Sequence, residues 1–251
     1  MTIADQSDID ALMRIGKVVA EARDAMGASA VPGVTTAELD EIGARVLRAH
    51  GARSAPRLAY GFPGETCISV NDELAHGIPK ADVVLRDGDL VNLDVSAELD
   101  GYWADSGASF AVGKVKPRER ALLWATRQAL EDGMAEARAG RKVREIGRAV
   151  ERCAKRTGFQ VVRDLCGHGV GRHIHEDPSI PNVARDADET TLWEGLVMTI
   201  EPFLTTSATR VVEGKDGWTL RTPDRSRGAQ FEHTMIVTRG APIVVTLSEG
   251  R

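Results

Sequence analysis

Between Ser7 and Met26 apolar side chains return at Ile9, Leu12, Met13, Ile15, Val18, Val19 and Ala22, close to the repeat of a helix with one buried stripe. Thr35 and Glu38 then stand at the spacing of a capping box, which predicts a second helix through Leu39, Ile42, Val46 and Leu47, stopped by Gly51. From there the period shortens to two. Strands are predicted at Thr66–Val70 and Asp89–Leu99, the latter turning near Asp100-Gly101 into Tyr102–Val112. After Pro117 the order starts again, with a helix over Pro117–Ala139 stopped by Gly140 and another over Lys142–Lys155 ending near Gly158. The last third is strand-rich at Leu196–Phe203, Trp218–Leu220, Ala229–Thr238 and Ile243–Leu247. Glu41-Ile42-Gly43 in the second helix is echoed by Glu145-Ile146-Gly147 in its counterpart. The repeated order predicts a single α+β domain over 1–251, made of two related halves of about 1–113 and 114–251. Their strands meet in one sheet with helices on one side.

Polar intrusions into these strands carry the chemistry. Asp94 stands in Leu-Val-Asn-Leu-Asp-Val, Asp105 follows the hairpin turn, Glu201 lies in Val-Met-Thr-Ile-Glu-Pro, and Glu232 in Gln-Phe-Glu-His-Thr-Met-Ile-Val. A carboxylate in an apolar strand is costly unless paired, neutralised or bound to metal. Alternation sends Val91, Leu93 and Val95 one way and Asn92, Asp94 and Ser96 the other. A hairpin near residue 100 sets Asp94 and Asp105 nearly opposite, with Cβ atoms roughly 4.5–5.5 Å apart. Residues 166–177, Cys-Gly-His-Gly-Val-Gly-Arg-His-Ile-His-Glu-Asp, gather three of the six histidines among alternating glycines, a backbone suited to close approach to a ligand.

Taken singly, these residues have plain readings: a solvated hairpin edge for the aspartates, ion pairs with arginine for the glutamates. Together with His168 they form a hard, oxygen-rich set that favours manganese, iron, cobalt or zinc over copper. Because carboxylates bridge, five such ligands suffice for two ions at the roughly 3.5–4 Å separation of hydrolytic dimetal centres. The chemistry predicted is metal-assisted hydrolysis. His76 and His175 are structural residues if read alone; beside such a centre they donate hydrogen bonds to a developing oxyanion and help move a proton. Of His173 and His175, His175 is expected to face the site, while His50 and His233 read as surface or structural residues.

Composition narrows the setting. A hydrophobic fraction of 42% and a charged fraction of 27% fit a globular protein, and a net charge of −5 provides no global attraction to nucleic acid or an anionic membrane. The first residues lack the basic start and apolar centre of a secretory signal, and no apolar run is long enough to span a bilayer. A cytoplasmic protein is expected, with Cys67, Cys153 and Cys166 as reduced thiols, since their spacing matches neither a zinc module nor a disulfide framework.

Eight segments, in order along nearly the whole chain, resemble the motifs of type I methionine aminopeptidases. They are Tyr60-Gly-Phe-Pro, Cys67-Ile-Ser-Val-Asn, His76-Gly-Ile-Pro, Asp89-Leu-Val-Asn-Leu-Asp-Val, Asp100-Gly-Tyr-Trp-Ala-Asp, Cys166-Gly-His-Gly-Val-Gly-Arg, Met198-Thr-Ile-Glu-Pro and Gln230-Phe-Glu-His-Thr. The resemblance implies the pita-bread fold, two pseudo-symmetric halves around a curved antiparallel sheet, with helices outside and a catalytic site at the centre. It implies removal of the initiator methionine from nascent polypeptides with a small second residue, by a water or hydroxide that bridges two divalent ions of cobalt, manganese, iron, zinc or nickel. By the same resemblance Asp105 and Glu232 bridge the ions, Asp94 completes one, and His168 with Glu201 completes the other. His76 and His175 flank the scissile amide, Glu201 shares in proton transfer, and Phe62, Cys67, His76 and Trp218 line the methionine pocket. One position departs from the pattern: Ile174 stands where the family often has phenylalanine.

The resemblance favours a monomer. An X-Pro peptidase of the same fold is the nearest alternative, but such relatives usually carry an additional N-terminal domain and differ around the first histidine. A catalytically dead binding module on this scaffold is expected to have lost ligands, and here all five stand. Residues 208–227 set Arg210, Lys215, Arg221, Arg225 and Arg227 against Glu213, Asp216 and Asp224. This basic stretch is a candidate contact with the ribosome near the nascent-chain exit, the plain reading being a solvated loop.

Overall fold

The computed structural model describes residues 1–248. The first half opens with helices α1 (Gln6–Ser29) and α2 (Thr36–Ala49), continues through β1 (Arg53–Ser54), α3 (Ala55–Tyr60), β2 (Cys67–Val70) and β3 (Glu73–Ala75), and ends in the hairpin β4 (Leu90–Leu99) and β5 (Tyr102–Ala111). The second half repeats the order with α4 (Pro117–Glu136) and α5 (Val143–Thr157), then β6 (Gln160–Val161), β7 (Cys166–Gly169), β8 (Glu176–Pro181), β9 (Val197–Ile200) and β10 (Phe203–Thr205). It closes with β11 (Val212–Glu213), β12 (Leu220–Arg221), β13 (Gly228–Gln230), β14 (His233–Ile236) and β15 (Ile243–Val244).

Local chemistry sets the helix ends. Asp5 caps α1 by accepting from the amides of Ser7 and Asp8, and the expected Thr35/Glu38 capping box closes the start of α2. Helix α4 stops at Glu136, short of the predicted Ala139, because the following backbone bonds elsewhere: Ala139 N–H donates to Thr238 and Gly140 N–H to Leu192. Helix α5 runs to Thr157, with Gly158 in the left-handed region beyond it. The pattern missed α3, which at six residues is too short to show a helical period.

All strand pairs of the two main sheets are antiparallel. One runs β1-β4-β2 with β5 on β4; the other runs β15-β14-β9-β7-β8. Ile15, Val19 and Met26 of α1 and Leu39 and Leu47 of α2 bury against Val91, Leu93 and Val95 of β4. Each such side chain contributes roughly 1.5–3 kcal/mol by leaving water. In the second half Leu130 and Ile146 pack on Met198, Ile200 and Met235 in the same manner. Helices thus cover one sheet face, leaving the other to Asn92, Asp94 and Ser96.

The halves are stitched along β5. Ala108 bridges to Phe231, Glu232 N–H donates to Gly107 at 2.8 Å, and Thr234 Oγ1 both accepts from Asp105 N–H and donates to its carbonyl, at 2.9 and 2.7 Å. Asn92 Nδ2 adds a bond to Gln230 Oε1 at 2.7 Å. Carboxylates from both halves are brought together at this seam.

Candidate metal centre

Asp94 and Asp105 lie on the same face of the hairpin, but not opposite one another as expected. Asp94 faces Gly107 and Asp105 faces Ser96, so the two carboxylates are diagonal neighbours. The two-residue turn at Asp100 and Gly101, both with positive φ, places Leu99 against Tyr102 and sets this offset. Diagonal neighbours are still within reach of a shared ion. Glu201 and Glu232 sit at interruptions, between β9 and β10 and between β13 and β14. In each the chain leaves the ladder for a residue or two, which frees the carboxylate to turn inward.

His168 comes from β7, where the pairing with β8 shifts register between His168 and Gly169, a bulge of the kind that re-aims a side chain. The glycines of this tract act differently from the sequence reading. A Cβ on Gly167 would fall 2.5 Å from the Thr199 carbonyl, and one on Gly169 would fall 2.3 Å from that of Asp177. They let β7 press against its neighbouring strands, not against a ligand. The Nδ1–H of His168 donates to the Gly169 carbonyl at 2.9 Å, so Nε2 keeps its lone pair, 3.5 Å from Glu201 Oε1 and 3.8 Å from Asp105 Oδ2.

The electrostatics call for a cation. Burial, then the charges of Glu232 and Asp94, drive the Asp105 carboxyl well above its usual range. Glu201 is driven up by burial and by Asp105, and Glu232 by burial and by Glu201. Asp94 is pushed up to about 6 by burial, against a hydrogen bond with Asp105. His168 is held down at about 3, first by burial and then by His175. Asp105 Oδ1 and Glu232 Oε1 are buried without a hydrogen-bond partner. Four crowded carboxylates, two orphaned oxygens and a bare imidazole nitrogen fit divalent metal. Ligand atoms of Asp105, His168 and Glu232 already lie within 4.8 Å of one another.

A cavity of about 240 Å³ joins these residues to the others singled out in the sequence. Its wall includes Phe62, Cys67, His76, Asp94, Asp105, His168, His175, Glu201, Trp218 and Glu232. Phe62 and Trp218 meet edge to face at 5.2 Å. Trp218 is held in a turn, short of the predicted strand, by Asp216, which accepts from the amides of Trp218 and Thr219. The thiol of Cys67, cross-strand partner of Asp94, is raised by burial and by the nearby Asp94 and Asp105 charges. His76 takes a positive φ of 54°, a conformation that costs a non-glycine residue energy and aims its ring at the cavity wall. The imidazoles of His76 and His175 are both lowered by burial, so they are neutral at pH 7.

The wall also contains Pro56, Tyr60, Ser96 and Ile174. Tyr60, passed over in the sequence except as a motif letter, bonds to His175 Nδ1 at 2.5 Å. His173 lies outside this cavity, His50 pairs with Glu21 at the surface, and His233 is bonded to Thr246. The basic segment 208–227 is partly neutralised within the fold, where Arg221 pairs with Glu73 at 2.8 Å and Arg227 approaches Glu119 at 3.8 Å.

Residues 10–239 match the model of metallopeptidase family M24. Methionine aminopeptidase 2 of Bacillus subtilis (strain 168) is 45% identical over 247 residues, covering 98% of this chain and 99% of that protein. The chain belongs to the methionine aminopeptidases of metallopeptidase family M24. The solved methionine aminopeptidase of Rickettsia prowazekii superposes with a TM-score of 0.93 at 38% identity, over 98% of this chain and all of that one. The prolidase of Pyrococcus furiosus, at 23% identity and a TM-score of 0.77, shares the fold, with 99% of this chain matching 66% of that one. The architecture is therefore the α+β pita-bread fold, and membership in the family makes divalent metal part of the enzyme. Among the described residues no helix is long and apolar enough to cross a membrane.

Proposed function

We propose that this enzyme removes the N-terminal methionine from nascent polypeptides whose second residue is small, acting in the cytoplasm with two divalent ions. The observation that carries the reading is one cavity of about 240 Å³ whose wall sets the metal-ligating groups beside Phe62, Cys67 and Trp218. Asp94, Asp105, His168, Glu201 and Glu232 would hold the ions, Asp105 and Glu232 each turning a buried oxygen without a hydrogen-bond partner to them. When bound, the ions supply the Lewis acidity that brings a water toward neutral pKa and polarises the amide carbonyl.

The remaining work belongs to side chains. Phe62, Cys67 and Trp218 receive the methionine side chain, whose polarisable sulfur suits aromatic and thiol surfaces. Cys67, kept protonated by burial and by neighbouring carboxylates, serves as a wall and not as a nucleophile. His76 and His175, neutral, donate to the amide as negative charge grows on its oxygen. Glu201, whose carboxylate accepts from Thr199 Oγ1 at 3.3 Å, is assigned to take a proton from the attacking water and pass it to the leaving amine. Tyr60, Ile174 and His175 share the cavity wall, the rings of Tyr60 and His175 lying 5.6 Å apart, and we assign to them the preference for a small second residue.

The test is hydrolysis of Met-Ala-Ser, Met-Lys-Ser and Ala-Pro-Ser by the chelated protein, with manganese, iron(II), cobalt, nickel and zinc returned separately. Metal-dependent methionine release from Met-Ala-Ser alone is expected. Preference for Ala-Pro-Ser moves the enzyme to the X-Pro branch, and silence with every ion refutes the activity. His76→Ala is expected to lower kcat about 10–100-fold with metal content kept, whereas Glu232→Ala loses metal and activity together.

A further inference from the structure

We propose that Tyr60 is a positioning residue for His175: its phenol donates to Nδ1, fixing the ring proton on Nε2 as the one N–H that His175 offers to substrate. The proposal rests on the aminopeptidase reading only for its effect on turnover.

Tyr60 ends α3, where Gly61 in the left-handed region turns the chain away, and its hydroxyl reaches His175 Nδ1 at 2.5 Å across 115 residues of sequence. The two rings are 5.6 Å apart between centroids. On its other side His175 meets His168 edge to face at 4.3 Å. Its backbone is held independently. The Glu176 carboxylate accepts from the amides of Arg172 and His173 at 2.6 and 2.7 Å, and the Arg172 guanidinium is tied to Asp8 and Tyr102. With the backbone fixed, the freedom left to His175 is the orientation and tautomer of its ring.

The direction of the bond follows from acid–base chemistry. A neutral imidazole has one donor and one acceptor nitrogen, a phenol is the better acid of the two, and an imidazole nitrogen is the better base, so O–H donates to Nδ1. His168 is held the opposite way. Its Nδ1–H is spent on the Gly169 carbonyl at 2.9 Å, which leaves Nε2 bare. Two touching imidazoles are thereby set in opposite tautomers, matching their assignments: a metal ligand needs a lone pair at Nε2, and a donor to a developing oxyanion needs a proton there.

The test is Tyr60→Phe in the zinc-loaded enzyme, which keeps the ring and removes the hydroxyl. With Met-Ala-Ser, kcat is expected to fall about tenfold with KM changed less than about twofold and zinc content unchanged, the size of one lost hydrogen bond. In a His175→Ala background Tyr60→Phe is expected to have no further effect. Nitrogen-15 NMR of labelled histidine is expected to show His175 protonated at Nε2 in the wild type and a tautomer mixture in Tyr60→Phe. A wild-type proton on Nδ1, an unchanged kcat, or an equal loss in the His175→Ala background overturns the proposal. If the wild type releases no methionine with zinc or with any of the other four ions, the functional reading falls, while the NMR result still decides whether Tyr60 sets the tautomer.

Discussion

Asp94, Asp105, Glu201 and Glu232 each hold a proton to higher pH in the metal-free fold than in an unfolded chain. The sign of the consequence is fixed by linkage. A carboxyl whose pKa is raised on folding contributes its stability below its unfolded value, and that contribution is lost as pH rises through the folded value. For Asp94 the window runs from the ordinary aspartate range, near 3.8, to about 6. Metal-free Asp94→Asn is therefore expected to melt close to the wild type near pH 4, as both forms are then uncharged at this position, and several degrees above it beyond pH 6. Added manganese is expected to raise the wild type more than the variant. Thermal melts in chelator and in manganese across this range check the expectation; parallel curves at every pH refute it.

The β4–β5 hairpin and strand β7 each turn a local sequence feature into the aim of a ligand. In the hairpin, Gly101 at φ 80° follows Asp100 at φ 52°, and the two-residue turn they form fixes which residues share the inner face. Gly101→Val forces a branched side chain into the left-handed region at a cost of about 1–2 kcal/mol, so the melting temperature is expected to fall by several degrees. In β7 the constraint is contact and not torsion. The methyl of Gly167→Ala meets the Thr199 carbonyl at 2.5 Å, so β7 must shift away from its neighbour and carry His168 with it. A weaker metal affinity, read by calorimetric titration, is the expected result; wild-type affinity refutes the close-packing role assigned to this glycine.

Across the whole molecule the centre exists because two halves meet along β5. Thr234 makes two hydrogen bonds to the backbone of Asp105, so Thr234→Val, nearly isosteric, breaks both while leaving each half's own core intact. It is expected to cost roughly 1–3 kcal/mol and to weaken metal binding; melts and titrations check both, and unchanged affinity refutes the coupling between seam and centre. The helices were legible in the chain because periodicity and capping are local: α1, α2 and α5 are found within a few residues of their predicted bounds. The four carboxylate candidates were legible because a carboxylate in an apolar strand is anomalous wherever that strand goes, and His168 because it stands in a tract that gathers three of the six histidines among glycines. Helix α3, too short for a period, left no signal, and so Tyr60 was read only as a letter in a motif. The sequence by itself determined which residues are chemically out of place, and through its motifs the family to which they belong. Only the tertiary structure decided the diagonal placing of Asp94 and Asp105, the glycines' service to strand packing, and the Tyr60–His175 bond across 115 residues. The physical reason is range: propensity and alternation act over a few residues, whereas register, close approach and ring orientation are set by partners that the chain meets only after it has folded.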